Sequence, residues 1–318
     1  MISPHQKRQP ADYLVLLTYS EKSMHQYSLF TLLAQVATIV MWSSGFIGIR
    51  IGMQEYQAGS FALLRLGIAA ICMVILYYLT PPKGPISLRD KLYAMMLGAI
   101  GMGVYHAFLN LGEQTVTAGI ASFITAQAPV LATLFAVAFL GERVTRRGWI
   151  GLLIGVGGVI LIALGEIEHA KFDFGVVYIL ISTCSFCFYI TQAKQLLDRI
   201  KSIHLTVFVV WGGALSSLIF LPQLIHDLPR ASIGATSAAI YLGIFPTALA
   251  YLTYNYVLSR ISRSAAAGSL YAIPLTTSLM GWVWLNEVPT IFAFCGGIIA
   301  LTGTILVNAS GKKVKIGK

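Results

Sequence analysis

Stretches of about twenty apolar residues recur along this chain from Ser28 to Ala309, separated by short polar connections such as PPKGPISLRD and GEIEHAKFD. An α-helix rises 1.5 Å per residue, so about twenty residues cross the ~30 Å of hydrocarbon in a bilayer. What remains cannot build a water-soluble exterior. Of 318 residues, 57% are hydrophobic and 11% are charged, against about 25% charged in an ordinary soluble domain. The pattern predicts an all-α integral membrane protein with ten transmembrane helices, at 28–52, 57–79, 91–111, 116–140, 147–165, 174–194, 203–224, 233–257, 264–285 and 290–309. Residues 1–27 read as a basic cytoplasmic segment: its apolar patch YLVLLTYS is too short to span, and no small-residue cleavage site follows it. Met24 is a second candidate start, which leaves open whether 1–23 belong to the native protein, and residues 310–318 form a basic cytoplasmic tail.

A net charge of +10 raises the question of nucleic acid, but that partner needs Lys and Arg clustered on one exposed face. Here they lie between the apolar runs. With the N-terminus placed inside, eighteen of the twenty-two Lys and Arg fall on one side, and both termini are expected in the cytoplasm of a cell whose plasma membrane the protein spans. Cys72, Cys184, Cys187 and Cys295 all lie in apolar spans and read as packing residues. Cys184-Ser-Phe-Cys187 has redox spacing without the soluble context that supports such a motif. No metal or cofactor is expected. Neither is an enzyme: the chain holds no HExxH, and Trp42 stands where a rhomboid-type protease has Gly two places before its serine.

Sliding the sequence by 145 residues lays APVLATLFAVAFLGERVTRRGWIGLLIGVGGVIL over IPLTTSLMGWVWLNEVPTIFAFCGGIIALTGTIL without a gap. Pro129 meets Pro274, Glu142 meets Glu287, Thr145 meets Thr290, Gly151 meets Gly296 and Gly158 meets Gly303; Asn110 likewise meets Asn255. Two halves, 28–165 and 174–309, each of five spans, must enter the membrane in opposite senses because five is odd. That is the inverted-repeat plan of many secondary transporters, with the site near the midplane. Glu142 and Glu287 fall at the hairpin into the last helix of each half. They read as hairpin residues accepting hydrogen bonds from a helix start rather than as transport groups.

Two tandem repeats closing with this Pro, Leu-x-Glu, Thr and Gly-rich pattern resemble the EamA-like branch of the drug/metabolite transporter superfamily, as do MWSSGFIGIR and FALLRLGIAA in the first two spans. The resemblance implies ten helices about a pseudo-twofold axis and export or exchange of small metabolites, amino acids being a common cargo. It does not name the solute. Small multidrug-resistance proteins of the same superfamily use a buried glutamate in their first helix, and here that helix has no acid.

The fifth and tenth spans carry few polar side chains but have Gly151-x-x-x-Gly155 and Gly296-x-x-x-Ala300, the spacing of closely packed helices. They are expected to pack within the molecule, with a homodimer contact as the alternative. A cavity must then be lined by the other spans. The first offers Trp42, Ser43 and Ser44, which either line it or bond and pack locally. The third offers Tyr105, His106 and Asn110, and its repeat mate Tyr251, Tyr254 and Asn255; polar groups here are costly unless they face inward. The two Asn residues either join helices or touch substrate, and His106 is either neutral and bonded or a proton relay. Arg65 matches the arginine of the family's second helix and serves either a structural pairing or a substrate carboxylate. Pro129 and Pro274 are expected to kink equivalent helices and act in gating, with Thr125, Gln127 and Tyr271 beside them. The expected protein is a secondary transporter exporting small organic metabolites. Nucleotide-sugar or organic-anion exchange is the alternative within transport, and a non-transporting receptor or scaffold the alternative outside it.

Overall fold

The computed structural model describes residues 29–310 apart from 83, 129, 132–144, 166–173, 198, 261–269 and 289. Pro129, Glu142, the 1–27 segment and the basic tail beyond Ser310 therefore lie outside the described residues, as does the side chain of Asn255. The chain runs through α1 (Leu29–Gly52), α2 (Ala58–Leu79), α3 (Leu88–Gly112), α4 (Ala118–Thr125), α5 (Arg146–Gly165) and α6 (Phe174–Leu197). It continues through α7 (Ser202–Asp227), α8 (Ile233–Leu242, then Gly243–Leu249 and Ala250–Arg260), α9 (Ala272–Leu285) and α10 (Ile291–Ser310). Among the described residues, α1, α2, α3, α6, α7 and the Ile233–Tyr254 part of α8 are long and apolar enough to cross a membrane. Large apolar side chains such as Ile71, Ile75, Leu153, Ile219, Trp282 and Trp284 stand exposed. That exterior suits lipid and not water.

Two packing details carry the duplication into three dimensions. The first is the crossing of α5 with α10. A side chain at Gly158 would strike the backbone of Gly296 and Ala300, and one at Gly303 would strike the backbone of Gly151 and Gly155. A shift of 145 exchanges one set of contacts for the other, so this crossing sits on a local twofold. The small-residue faces of α5 and α10 are thus used on each other. The second is the pairing of α3 with α7 and of α8 with α2, where Gly98 abuts the Val209 carbonyl and its mate Gly243 abuts the Arg65 carbonyl.

The same symmetry shapes the helices themselves. Helix α3 widens to a π-helix over Ala99–Val104, and α8 does so over Gly243–Leu249. Pro246 explains the second, because it has no N–H to give to the helix ladder. Ser87 caps α3 by accepting from the Asp90 N–H (3.1 Å), and Ser232 caps α8 by accepting from the Ala235 N–H (3.2 Å); both pairs are 145 apart. Ser232 is bonded to Glu55 beyond the end of α1, whereas Asp90, beside Ser87, pairs with Arg199 near the other end of α2. The two matching caps therefore lie at opposite ends of the bundle.

Candidate functional site

Arg65, on α2, is 4% exposed, so its charge does not reach out to a membrane surface. Its Nε donates to Thr247 Oγ1 on the π-helical stretch of α8 (2.8 Å), and its Nη1 has no hydrogen-bond partner. Tyr105 on α3 and Tyr251 on α8 both lie in the field of this guanidinium. Beside them, the Trp42 ring of α1 packs edge-on against Tyr251 (5.3 Å) and tilted against Tyr254 (4.9 Å). The indole Nε1 donates to the carbonyl of Pro246 (3.1 Å). Helices α1, α2, α3 and α8 thus bring one buried cation and a wall of aromatic hydroxyls together. A buried donor left unpaired costs about 1–3 kcal/mol. The arrangement is suited to a ligand that brings an anionic oxygen.

The remaining sequence candidates divide between this cluster and the frame around it. His106 is 1% exposed, rests against the Tyr105 ring (4.7 Å) and has both ring nitrogens unpartnered. Asn110 donates to the Ala58 carbonyl at the start of α2 (2.9 Å), leaving its own carbonyl oxygen without a donor. Ser43 donates to the Ile273 carbonyl (3.4 Å), whereas Ser44 bonds back to Met41 of its own helix (2.9 Å) and meets the Tyr241 hydroxyl (2.6 Å). Thr125 bonds back to Ala121 (2.7 Å), and the buried Gln127 to Phe123 (3.4 Å).

The chain turns at Ala126–Gln127 after α4 and at Leu270–Tyr271 before α9, within one residue of equivalent points. Pro274 follows in the first turn of α9, where its missing N–H removes no helix hydrogen bond. At this end of α9 the interruption sits in the turn and not at the proline. Sequence reasoning did not single out Thr247, nor Phe186 and Tyr189 of α6, which continue the aromatic wall from Tyr105.

A second polar group closes the end of the bundle that holds Glu55 and Ser232. Helix α9 ends with Asn286 in the left-handed region (φ 55°), which Asn tolerates better than most residues. That turn swings Glu287 back across the bundle. Its carboxylate accepts from Arg50 Nε of α1 (2.7 Å) and from the Ala118 N–H at the start of α4 (3.0 Å). Glu287 does cap a helix start, that of α4. Arg50 Nη1 also donates to the backbone carbonyl of Glu113 (2.6 Å). Nearby, Asp227 accepts from the Gln57 N–H (3.0 Å) and from Ser60 (2.5 Å), capping α2. Glu55 accepts from the Ser232 N–H and hydroxyl, which hold its carboxyl below the usual range. A cavity of about 230 Å³ between α2, α3 and α7, lined by Gln57, Ala58, Gly59, Ala107, Leu111, Gln114, Phe220 and Gln223, holds no charged side chain. The charge chemistry sits at Arg65 instead.

The EamA-like transporter family model matches this chain twice, over residues 29–164 and 173–309. The chain is 34% identical over 265 residues to the uncharacterized transporter YdfC of Bacillus subtilis, covering 83% of this chain and 86% of the relative. It is 32% identical over 280 residues to a protein of Streptantibioticus cattleyicolor named "Probable terminal-alkyne amino-acid exporter", covering 86% and 92%. The uncharacterized inner membrane transporter YedA of Escherichia coli K12 is 25% identical over 251 residues, covering 78% and 80%. A solved crystal structure, 18% identical, superposes with a TM-score of 0.59 over 87% of this chain and 95% of its own, a likeness of fold alone.

Proposed function

The chain belongs to the EamA-like transporter family, and on that premise we propose that it exports small organic metabolites, amino acids foremost, by alternating access between two inverted five-helix halves. It is a multi-pass membrane transporter; the plasma membrane, ten spans and two cytoplasmic termini complete the proposed reading. The observation that carries it is Arg65, buried in the bundle with Nη1 unpaired and with Tyr105 and Tyr251 within its electrostatic reach. An amino acid's carboxylate meets the guanidinium, and its ammonium finds the faces and hydroxyls of Trp42, Tyr251 and Tyr254, since aromatic faces attract cations. The relative named as an amino-acid exporter supports the same class. Exchange of nucleotide sugars or other dianions calls for more than one cation at the site, and Arg65 is the one arginine in the cluster among the described residues.

Purified protein in sealed vesicles tests this. Loading with a mixture of labelled amino acids should give efflux of at least one, and Arg65→Ala should reduce that flux at least tenfold with insertion unchanged. Normal flux in Arg65→Ala sinks the assignment of the site. No amino-acid flux alongside rapid exchange of a nucleotide sugar favours the second reading, and no flux of any solute favours a scaffold.

A further inference from the structure

Glu113 lies one residue beyond α3, where a solvated loop acid would be ordinary. It is instead 0% exposed, and neither carboxyl oxygen has a hydrogen-bond partner. Gly112 explains the burial: it packs so closely on Ile179 and Gly175 of α6 that the end of α3 is pressed into the bundle. The charged groups that Glu113 feels among the described residues are Arg50 of α1, Arg65 of α2 and Glu287 after α9, with Tyr105 two turns back on its own helix. It therefore feels both the arginine that bonds its own backbone, Arg50, and the arginine of the candidate site. Removing a carboxylate from water without pairing costs several kcal/mol, so the arrangement seen here is that of the neutral acid.

We propose that Glu113 is a proton-binding site that couples the Arg50–Glu287 pair to the Arg65 site. With the proton on, Glu113 makes no claim on either guanidinium, and Arg50 stays on Glu287 (2.7 Å). When the proton leaves to water at the Glu55 end, the new carboxylate competes with Glu287 for Arg50, whose Nη1 already touches the Glu113 backbone (2.6 Å). Loss of the Arg50–Glu287 pair frees α1 from the α9 hairpin and from the start of α4. Burial raises the Glu113 carboxyl well above the usual range, against the opposing pull of Arg50 and then Arg65. Deprotonation, and with it opening of this end, therefore comes as the pH rises through that elevated value.

The proposal rests on the transport reading only for what the proton drives, and its test needs no substrate. Full-length protein in lipid nanodiscs is followed by infrared difference spectroscopy across pH, and a Gln57→Cys probe in a background lacking the native cysteines is followed by its rate of thiol labelling. Wild type should show the carbonyl band of a protonated, unsolvated carboxyl and about a tenfold rise in labelling as the pH increases. Glu113→Gln should lose the band and label slowly at every pH. A band that persists in Glu113→Gln, or a labelling transition that it keeps, overturns the proposal. Should Glu113→Gln fail to insert, Glu113→Asp decides: a displaced band and transition support the site, and unchanged ones refute it. Absent flux in the vesicle experiment counts against the transport reading and leaves this result standing.

Discussion

Thr247 is one hydroxyl within the apolar stretch GIFPTALA of α8, yet it is the group that holds Arg65 in place (2.8 Å). Replacing it by Val leaves a buried guanidinium Nε unpaired, at a cost of about 1–3 kcal/mol. Thr247→Val should lower the midpoint of thermal unfolding in detergent, and Thr247→Ser should recover most of the loss; equal midpoints would show that Arg65 finds another acceptor. Nothing in the sequence marks Thr247, because one threonine among apolar residues is unremarkable until the helix it meets is known. Arg65, His106 and Tyr251 were legible, since a polar side chain within hydrocarbon must face the interior. Glu113 was not: it stands in Gly-Glu-Gln-Thr, which reads as a solvated connection. Its burial comes from α6, a contact that no local pattern announces.

The crossing of α5 and α10 is decided by two glycines that are repeat mates, Gly158 and Gly303, each set against the backbone of the other helix. A Cβ branch at Gly158 meets main chain that cannot move aside, so Gly158→Val should destabilise by at least the ~1–3 kcal/mol of an overpacked core. Gly157, one residue earlier, faces open space, and Gly157→Ala should leave stability equal or slightly raised. Thermal unfolding of the two variants side by side checks the pair, and similar losses in both would mean that the crossing is not tight. These glycine spacings were readable from the sequence alone. The π-helical stretches were only half readable: Pro246 signals the one in α8, while α3 reaches the same shape over Ala-Ile-Gly-Met-Gly-Val with no proline. The hairpin turn is clearer in hindsight, because the shift that lays Asn286 over Gly141 pairs the two residue types that best tolerate a left-handed backbone.

For the molecule as a whole, the proposed inverted arrangement predicts which surfaces share a compartment. Arg89 and Gly234 are repeat mates, both exposed, each two residues past a capping serine. In a background free of native cysteines, Arg89→Cys should react with a membrane-impermeant thiol reagent only from the cytoplasmic side, and Gly234→Cys only from outside. Labelling of both from one side would refute the inverted arrangement. The repeat itself was the most legible feature of the chain, because helix order and spacing survive without any knowledge of packing.

The matching serine caps at opposite ends have one more consequence. In the proposed alternating carrier, caps that match at the two ends favour neither access state over the other. The choice then turns on contacts such as the sheltered Arg50–Glu287 bond at one end, against the Arg199–Asp90 pair, with Arg199 59% exposed, at the other. An unloaded carrier at rest should therefore keep its Glu287 end shut, and losing the charge on either partner weakens that preference.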